Sequence, residues 1–214
     1  MVELLRIGDE VVVIRDGREA LEPVKWIGSF SVNLARHAHV EEVAPIRIRA
    51  NAIAEGRPGR DLLVSPEHCL ILEGRCVPAK LLVNGGSIIS ERDHTPFTYY
   101  HVELEQHGIL LAENLQAESY LDTGNRSAFD GEDSTPLLHP VVLLNPTADR
   151  WLTDACAPLA RVPDEVTPIW QSLAERSDAM GLKIPTPATV TSPDVHLTVD
   201  GKRIQPTSDR NGRY

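Results

Sequence analysis

Over the first part of the chain, apolar and polar residues alternate in short runs, each closed by a turn former, as in β-strands with one face in a core. Met1 to Ile7 reads as a short amphipathic opening, and Gly8-Asp9 turns the chain into Glu10-Val11-Val12-Val13-Ile14. Asp16-Gly17 is a hairpin signal that returns the chain through Ala20 to Ile27. Pro23 has no N–H for a ladder and places part of that run at a sheet edge. Ser31 to Val43 keeps no clear period, and Asn33, His37 and His39 read as loop or edge residues in solvent. Pro45-Ile46-Arg47-Ile48-Arg49-Ala50 alternates again, a strand with one wet face, before the turn cluster Gly56 to Asp61. Leu62-Leu63-Val64 then leads to Ser65-Pro66-Glu67-His68.

Glu73-Gly74 lies between Leu70-Ile71-Leu72 and Arg75-Cys76-Val77, so a two-residue turn is the simplest register, with Leu72 facing Arg75 and Ile71 facing Cys76. Side chains alternate along a strand, so His68, Leu70 and Leu72 share one face and Cys69, Ile71 and Cys76 the other. Asn84-Gly85-Gly86 turns the chain before Ser87 to Ser90. Tyr99 to Leu104 alternates, breaks at Gln106-His107-Gly108 and resumes as a strand. If those two strands pair, His101 lies on one arm and His107 at the tip, and taken alone both read as surface or edge histidines.

After Asn125 the character changes. Phe129 to Pro140 is acidic and proline-bearing, which marks residues 131–162 as a linker or long loop behind a front domain of residues 1–130. Pro163-Asp164-Glu165 opens a run with Val166, Ile169, Trp170, Leu173, Ala174 and Met180 on one helix face, stopped by Gly181. Val195 to Val199, Asp200-Gly201 and Lys202-Arg203-Ile204 read as a hairpin, so residues 163–214 form a helix-plus-hairpin extension that is either docked or incomplete. The fold class is mainly β.

Composition narrows what such a fold can do. With 214 residues the chain can bury a real core, and 16 prolines and 14 glycines suit short strands with many corners. The formal net charge of −10, without a basic patch, argues against a nucleic-acid partner. No apolar run approaches membrane-spanning length and no signal peptide opens the chain, so as written it is expected to be soluble and cytoplasmic, with no membrane partner. Three widely spaced cysteines do not make a disulfide framework, and Cys69 and Cys76 lie too far apart for a zinc knuckle, so no metal and no cofactor is expected.

The chemistry concentrates at Ser65 and His68. A hydroxyl three residues before an imidazole, at the mouth of an apolar strand, can bind one peptide carbonyl and deliver a proton to its departing nitrogen, the two tasks of breaking an amide. A Ser-Pro turn and a half-buried histidine account for the same four residues structurally. A Cys69–His68 nucleophile pair is disfavoured, since neighbouring strand residues point opposite ways.

Five segments together resemble the Hint superfamily of hedgehog autoprocessing domains and inteins, and within it the bacterial hedgehog/intein-type proteins. They are Val2-Glu3-Leu4-Leu5-Arg6-Ile7-Gly8-Asp9-Glu10-Val11, Val24-Lys25-Trp26-Ile27-Gly28, Asp61 to His68, Val77 to Gly85 and Tyr100 to His107. The resemblance implies an all-β horseshoe that rearranges its own chain, its substrate being the polypeptide upstream. The first cysteine of such a module attacks the preceding carbonyl and forms a thioester. Ser65 and His68 stand at the family's Thr-x-x-His pair, His107 resembles its late histidine, and His101 falls where inteins often carry an aspartate. Two departures follow. The nucleophile belongs upstream of Val2, so the chain is expected to lack the first strand and to be inactive as given, and Glu118-Ser119 replaces the His-Asn ending of inteins. A non-catalytic binding or structural module with the same fold, or a zinc protein using His68, His101, His107 and the cysteines, are the alternatives.

Overall fold

A computed structural model of the protein describes residues 1–37, 39–92, 96–124, 126, 129, 148–160, 162–183, 197–199 and 202–204. Met1–Ile184 forms one compact unit and Pro185–Tyr214 a second.

Local turn chemistry builds the hairpins. β1 (Glu10–Arg15) and β2 (Arg18–Pro23) pair antiparallel across Asp16 and Gly17, at φ 49° and 75°. β6 (Cys69–Leu72) and β7 (Arg75–Pro78) do so across Glu73 and Gly74, at φ 50° and 72°. Two successive positive φ values make the mirror-image turn whose twist matches paired strands, and glycine at the second position adopts it without a Cβ clash. The predicted register holds: Leu72 opposes Arg75 and Ile71 opposes Cys76. A third such hairpin joins β10 (Ile109–Ala112) to β11 (Leu115–Glu118) through Glu113 and Asn114, both at positive φ. The sequence reading missed that turn, because neither residue is a glycine.

These hairpins line up as one six-stranded sheet in the order β2-β1-β10-β11-β6-β7. β4 (Ile46–Ile48) lies between β5 (Leu62–Val64) and β8 (Ile88–Ser90) in a second sheet, and β3 (Trp26–Val32) pairs with β9 (Phe97–Glu103) in a third. The described residues of the architecture are mainly β and antiparallel, as expected. In the second unit β12 (Leu197–Val199) pairs with β13 (Lys202–Ile204), which is the expected hairpin; its turn lies outside the described residues.

Three expectations change. The run from Ala20 to Ile27 is not one strand: the β2 ladder ends at Pro23, the Lys25 N–H turns to the Glu103 carbonyl at 2.8 Å, and Trp26 begins a strand of another sheet. The strands on either side of Gln106-His107-Gly108 do not pair with each other, since β9 belongs to β3 while β10 sits between β1 and β11. The amphipathic opening buries no face: Val2–Leu4 is a single 3-10 turn, and Met1, Leu4 and Ile7 remain exposed. So short a turn, followed by extended Leu5, meets no apolar surface among the described residues.

Ile46, Ile48, Val64, Leu70, Val77 and Leu82 form the main core. Helix α3 (Pro163–Ala179), which follows the short helices α1 (Val40–Val43) and α2 (Ala148–Thr153), adds Ile169 and Leu173 to it. Trp170, on the same face, donates its indole N–H to the Val83 carbonyl at 2.9 Å. The helix stops as predicted: Gly181, at φ 74°, donates to the Asp178 carbonyl and Leu182 to that of Ser177, closing a Schellman motif. Within the span expected to be a linker, residues 148–160 carry α2 and pack Trp151, Cys156 and Leu159 onto the β6–β7 hairpin.

Candidate functional site

Ser65 and His68 are placed by a turn that uses only backbone. The His68 N–H donates to the Ser65 carbonyl at 3.1 Å, and the Ala79 and Lys80 N–H groups donate to the His68 and Pro66 carbonyls at 2.9 Å each. Lys80 also pairs with Glu67. Val77-Pro78-Ala79-Lys80 therefore acts as the splint of the Ser65 to His68 turn. Because the main chain does the holding, no hydrogen bond to the Ser65 hydroxyl or the His68 ring occurs among the described residues.

His101 comes from β9, opposite Gly28 of β3. Its ring centroid lies 6.3 Å from that of His68, 4.6 Å from Phe129 and 5.6 Å from Tyr120. Trp26, Tyr120 and Phe129 pack together beside it. Gly28 has to be glycine, because a Cβ there would stand 2.0 Å from the Trp26 ring and 2.8 Å from the Phe129 Cβ. A cavity of about 260 Å³ opens between these elements, lined among others by Ser65, His68, His101, Glu118, Ser119 and Tyr120.

Protein surrounds both imidazoles even though each residue keeps some exposed surface. That desolvation drives the His101 pKa down to about 4, helped by the neighbouring His68 and opposed by Glu118. Burial lowers His68 as well, with Glu118 again opposing and His107 adding to the fall. At neutral pH both rings are neutral, and each offers one N–H and one lone pair to the cavity.

His107 is placed differently and does not line this cavity. It is 9% exposed, not at a solvent tip, because both of its nitrogens are engaged. Nε2 donates to the Ser119 carbonyl at 2.9 Å and lies 3.7 Å from Glu118 Oε2, while Nδ1 accepts the Cys156 backbone N–H at 2.9 Å. Arg15, paired with Glu22, donates to the Gln106 and His107 carbonyls at 3.0 Å each and fixes the turn from outside. Burial opposes a charge on His107, but Cys156 and Glu118 outweigh it and lift the ring to about 9. A proton added at Nδ1 must displace the Cys156 N–H, so charging this ring is coupled to that bond.

Glu118 and Ser119, which in sequence only marked a departure from the intein ending, prove central. Glu118 accepts the Cys69 N–H on Oε1 at 2.7 Å and leaves Oε2 buried without a hydrogen bond. The Ser119 hydroxyl accepts the Gly108 N–H at 2.9 Å, and Ser119 is fully buried. Their signal was a charged residue closing the otherwise inward-facing strand Leu115–Glu118.

All three cysteines are free thiols. Cys69 and Cys76 are buried, Cys69 packs in a different cluster from Leu70 as the strand period implied, and half-buried Cys156 packs against them; Cys69 also lines the cavity that His68 lines. Contact with Cys76 and burial raise the Cys156 thiol above its ordinary range, against the pull of His107. Among the described residues no group of three or more His, Cys, Asp or Glu is arranged to hold a metal ion, and no helix is long and apolar enough to cross a membrane.

Comparison with known proteins gives one match: the family model of the Hint domain covers residues 1–124. No curated protein and no solved structure matches the chain. With more than half of its length matched, and with the mainly β fold that the resemblance implied, the chain belongs to the Hint-domain family, as a self-processing or related module.

Proposed function

We propose that this module rearranges a peptide bond at its own N-terminal junction through a thioester, with the upstream polypeptide as substrate. The observation that carries this reading is the cavity that Ser65, His68 and His101 line together, their side chains taking no hydrogen bond among the described residues. A thiol attacking the junction carbonyl must lose a proton, and the departing amide nitrogen must gain one. Neutral His68 can take the first and hand over the second, since burial keeps the ring unprotonated at the outset. The Ser65 hydroxyl donates to the carbonyl oxygen as it gains charge. His101 extends the neutral polar wall, and His107 acts one step back, holding the Ser119 carbonyl and with it the end of β11.

None of the three cysteines serves as the nucleophile in this scheme. Cys69 donates its thiol to the Glu67 carbonyl at 3.6 Å, and Cys76 and Cys156 cluster with it without lining the cavity. The 214 residues by themselves are therefore expected not to cleave. The test extends the chain upstream by a cysteine-bearing strand and a short leader, incubates it with and without dithiothreitol, and follows intact mass. Thiol-dependent loss of the leader, slowed about a hundredfold or more by His68→Ala, is the expected result. A folded protein of unchanged mass would sink the proposal, and cleavage of the unextended chain would overturn the assignment of the nucleophile.

A further inference from the structure

Cys69, Cys76 and Cys156 come from two segments far apart in sequence, yet they form one cluster. Cys156 packs against the cluster that Cys69, Ile71 and Cys76 form. Backbone bonds clamp the two segments: the Cys76 N–H donates to the Pro158 carbonyl and the Ala160 N–H to the Cys76 carbonyl, each at 2.9 Å. Exposure differs sharply along the row. Cys69 and Cys76 are 1% and 0% exposed, whereas Cys156 is half-buried and lines a surface cavity of about 390 Å³ together with His107.

We propose that Cys156 and Cys76 are a modification site for small hydroperoxides, which closes a reversible disulfide between the 148–160 segment and β7. Cys156 is the most exposed of the three and meets the oxidant first. Its raised thiol makes the step slow and dependent on excess oxidant: the sulfur attacks a peroxide oxygen as its proton leaves, the O–O bond breaks, water leaves and a sulfenic acid forms. The Cys76 sulfur then displaces the hydroxyl as a second water and the S–S bond forms. Two thiols lose two electrons and two protons, and the peroxide is reduced to two waters. Cys69 lines the cavity beside His68 but is only 1% exposed, so it reacts after Cys156.

The consequence reaches the Hint pocket. Trp151 and Leu159 of the same segment line it, and the Cys156 N–H holds His107 Nδ1.

 The disulfide would fasten that wall to the hairpin carrying His68.

The test treats the intact chain with excess hydrogen peroxide, then blocks the remaining thiols and maps peptides by mass. The expected product has lost two hydrogens, links Cys76 to Cys156, reverts with dithiothreitol, is absent from Cys156→Ser and persists in Cys69→Ser. In the oxidised protein, hydrogen exchange at the Cys156 amide is expected to slow about tenfold or more. Three thiols that stay free, a Cys69–Cys76 link, or a link that survives in Cys156→Ser would overturn the site. Unchanged exchange in the linked protein would overturn the fastening.

Discussion

His68 and His107 are both enclosed by protein, yet they are held in opposite ways. The His68 ring is positioned through its main chain, which is bonded at Ser65 and Ala79, while its nitrogens face a cavity. The His107 ring is itself the fastener, with Ser119 on Nε2 and Cys156 on Nδ1. The electrostatics follow the contacts. Burial without a bonded anion lowers His68 and His101, whereas contact with Cys156 and Glu118 raises His107 in spite of burial. An imidazole kept neutral and unengaged can move protons, and one bonded on both sides sets geometry. The comparison teaches that a histidine placed in a site by family likeness is sorted into one role or the other by what its two nitrogens touch.

The largest effect expected from breaking this contrast is on stability. His107→Ala strands the Cys156 N–H and the Ser119 carbonyl and removes the ring beside Glu118, and should cost about 3 kcal/mol in denaturant unfolding. His68→Ala, which breaks no side-chain hydrogen bond, should cost about 1 kcal/mol. Equal losses would erase the distinction.

Acid titration sharpens it next. His101 is held near 4 in the fold against about 6.5 when unfolded, so above 6.5 the ring is neutral in both states and stability is complete. As the pH falls from 6.5 through 4 the unfolded chain takes up the proton first, and stability drops by about 3 kcal/mol. His107 runs the other way: the charged ring that Cys156 and Glu118 favour contributes below 6.5 and is lost as the pH rises through about 9, while the Cys156 N–H bond to Nδ1 belongs to the neutral ring. His101→Phe, which keeps the packing on Phe129, should make the acid limb shallower, with buried His68 still contributing, and leave the alkaline one, as read from unfolding free energy against pH.

The smallest effect is expected from Glu118→Gln. The amide oxygen can still accept the Cys69 N–H, so the loss should be about 1 kcal/mol, but the alkaline limb should move to lower pH because the anion that supports charged His107 is gone. An unmoved limb would show that Cys156 alone sets the His107 titration.

Much of the frame was legible because it is local. Asp16-Gly17 and Glu73-Gly74 fix their turns through backbone preference, and the period of two then assigns Cys69 and Leu70 to opposite faces without reference to the rest of the chain. Glu113-Asn114 makes the same turn without a glycine and was not legible. The spacing of Ser65 and His68 was readable as chemistry, and the Hint-family resemblance raised it to a site. The partners of that site were not readable. Glu118 carries no motif, and Cys156 lies outside the matched residues.

The sequence by itself determined the strand period, the tight turns, the apolar face of α3 and its Gly181 stop, since each depends on residues within a few positions of one another. Only the tertiary structure decided that Trp26 leaves the sheet of β2, that His101 is neutral while His107 is tied on both nitrogens, and that Cys156 meets Cys76. Those outcomes depend on which distant segments share a buried space, where desolvation and the few available hydrogen-bond partners set the energy of each side chain.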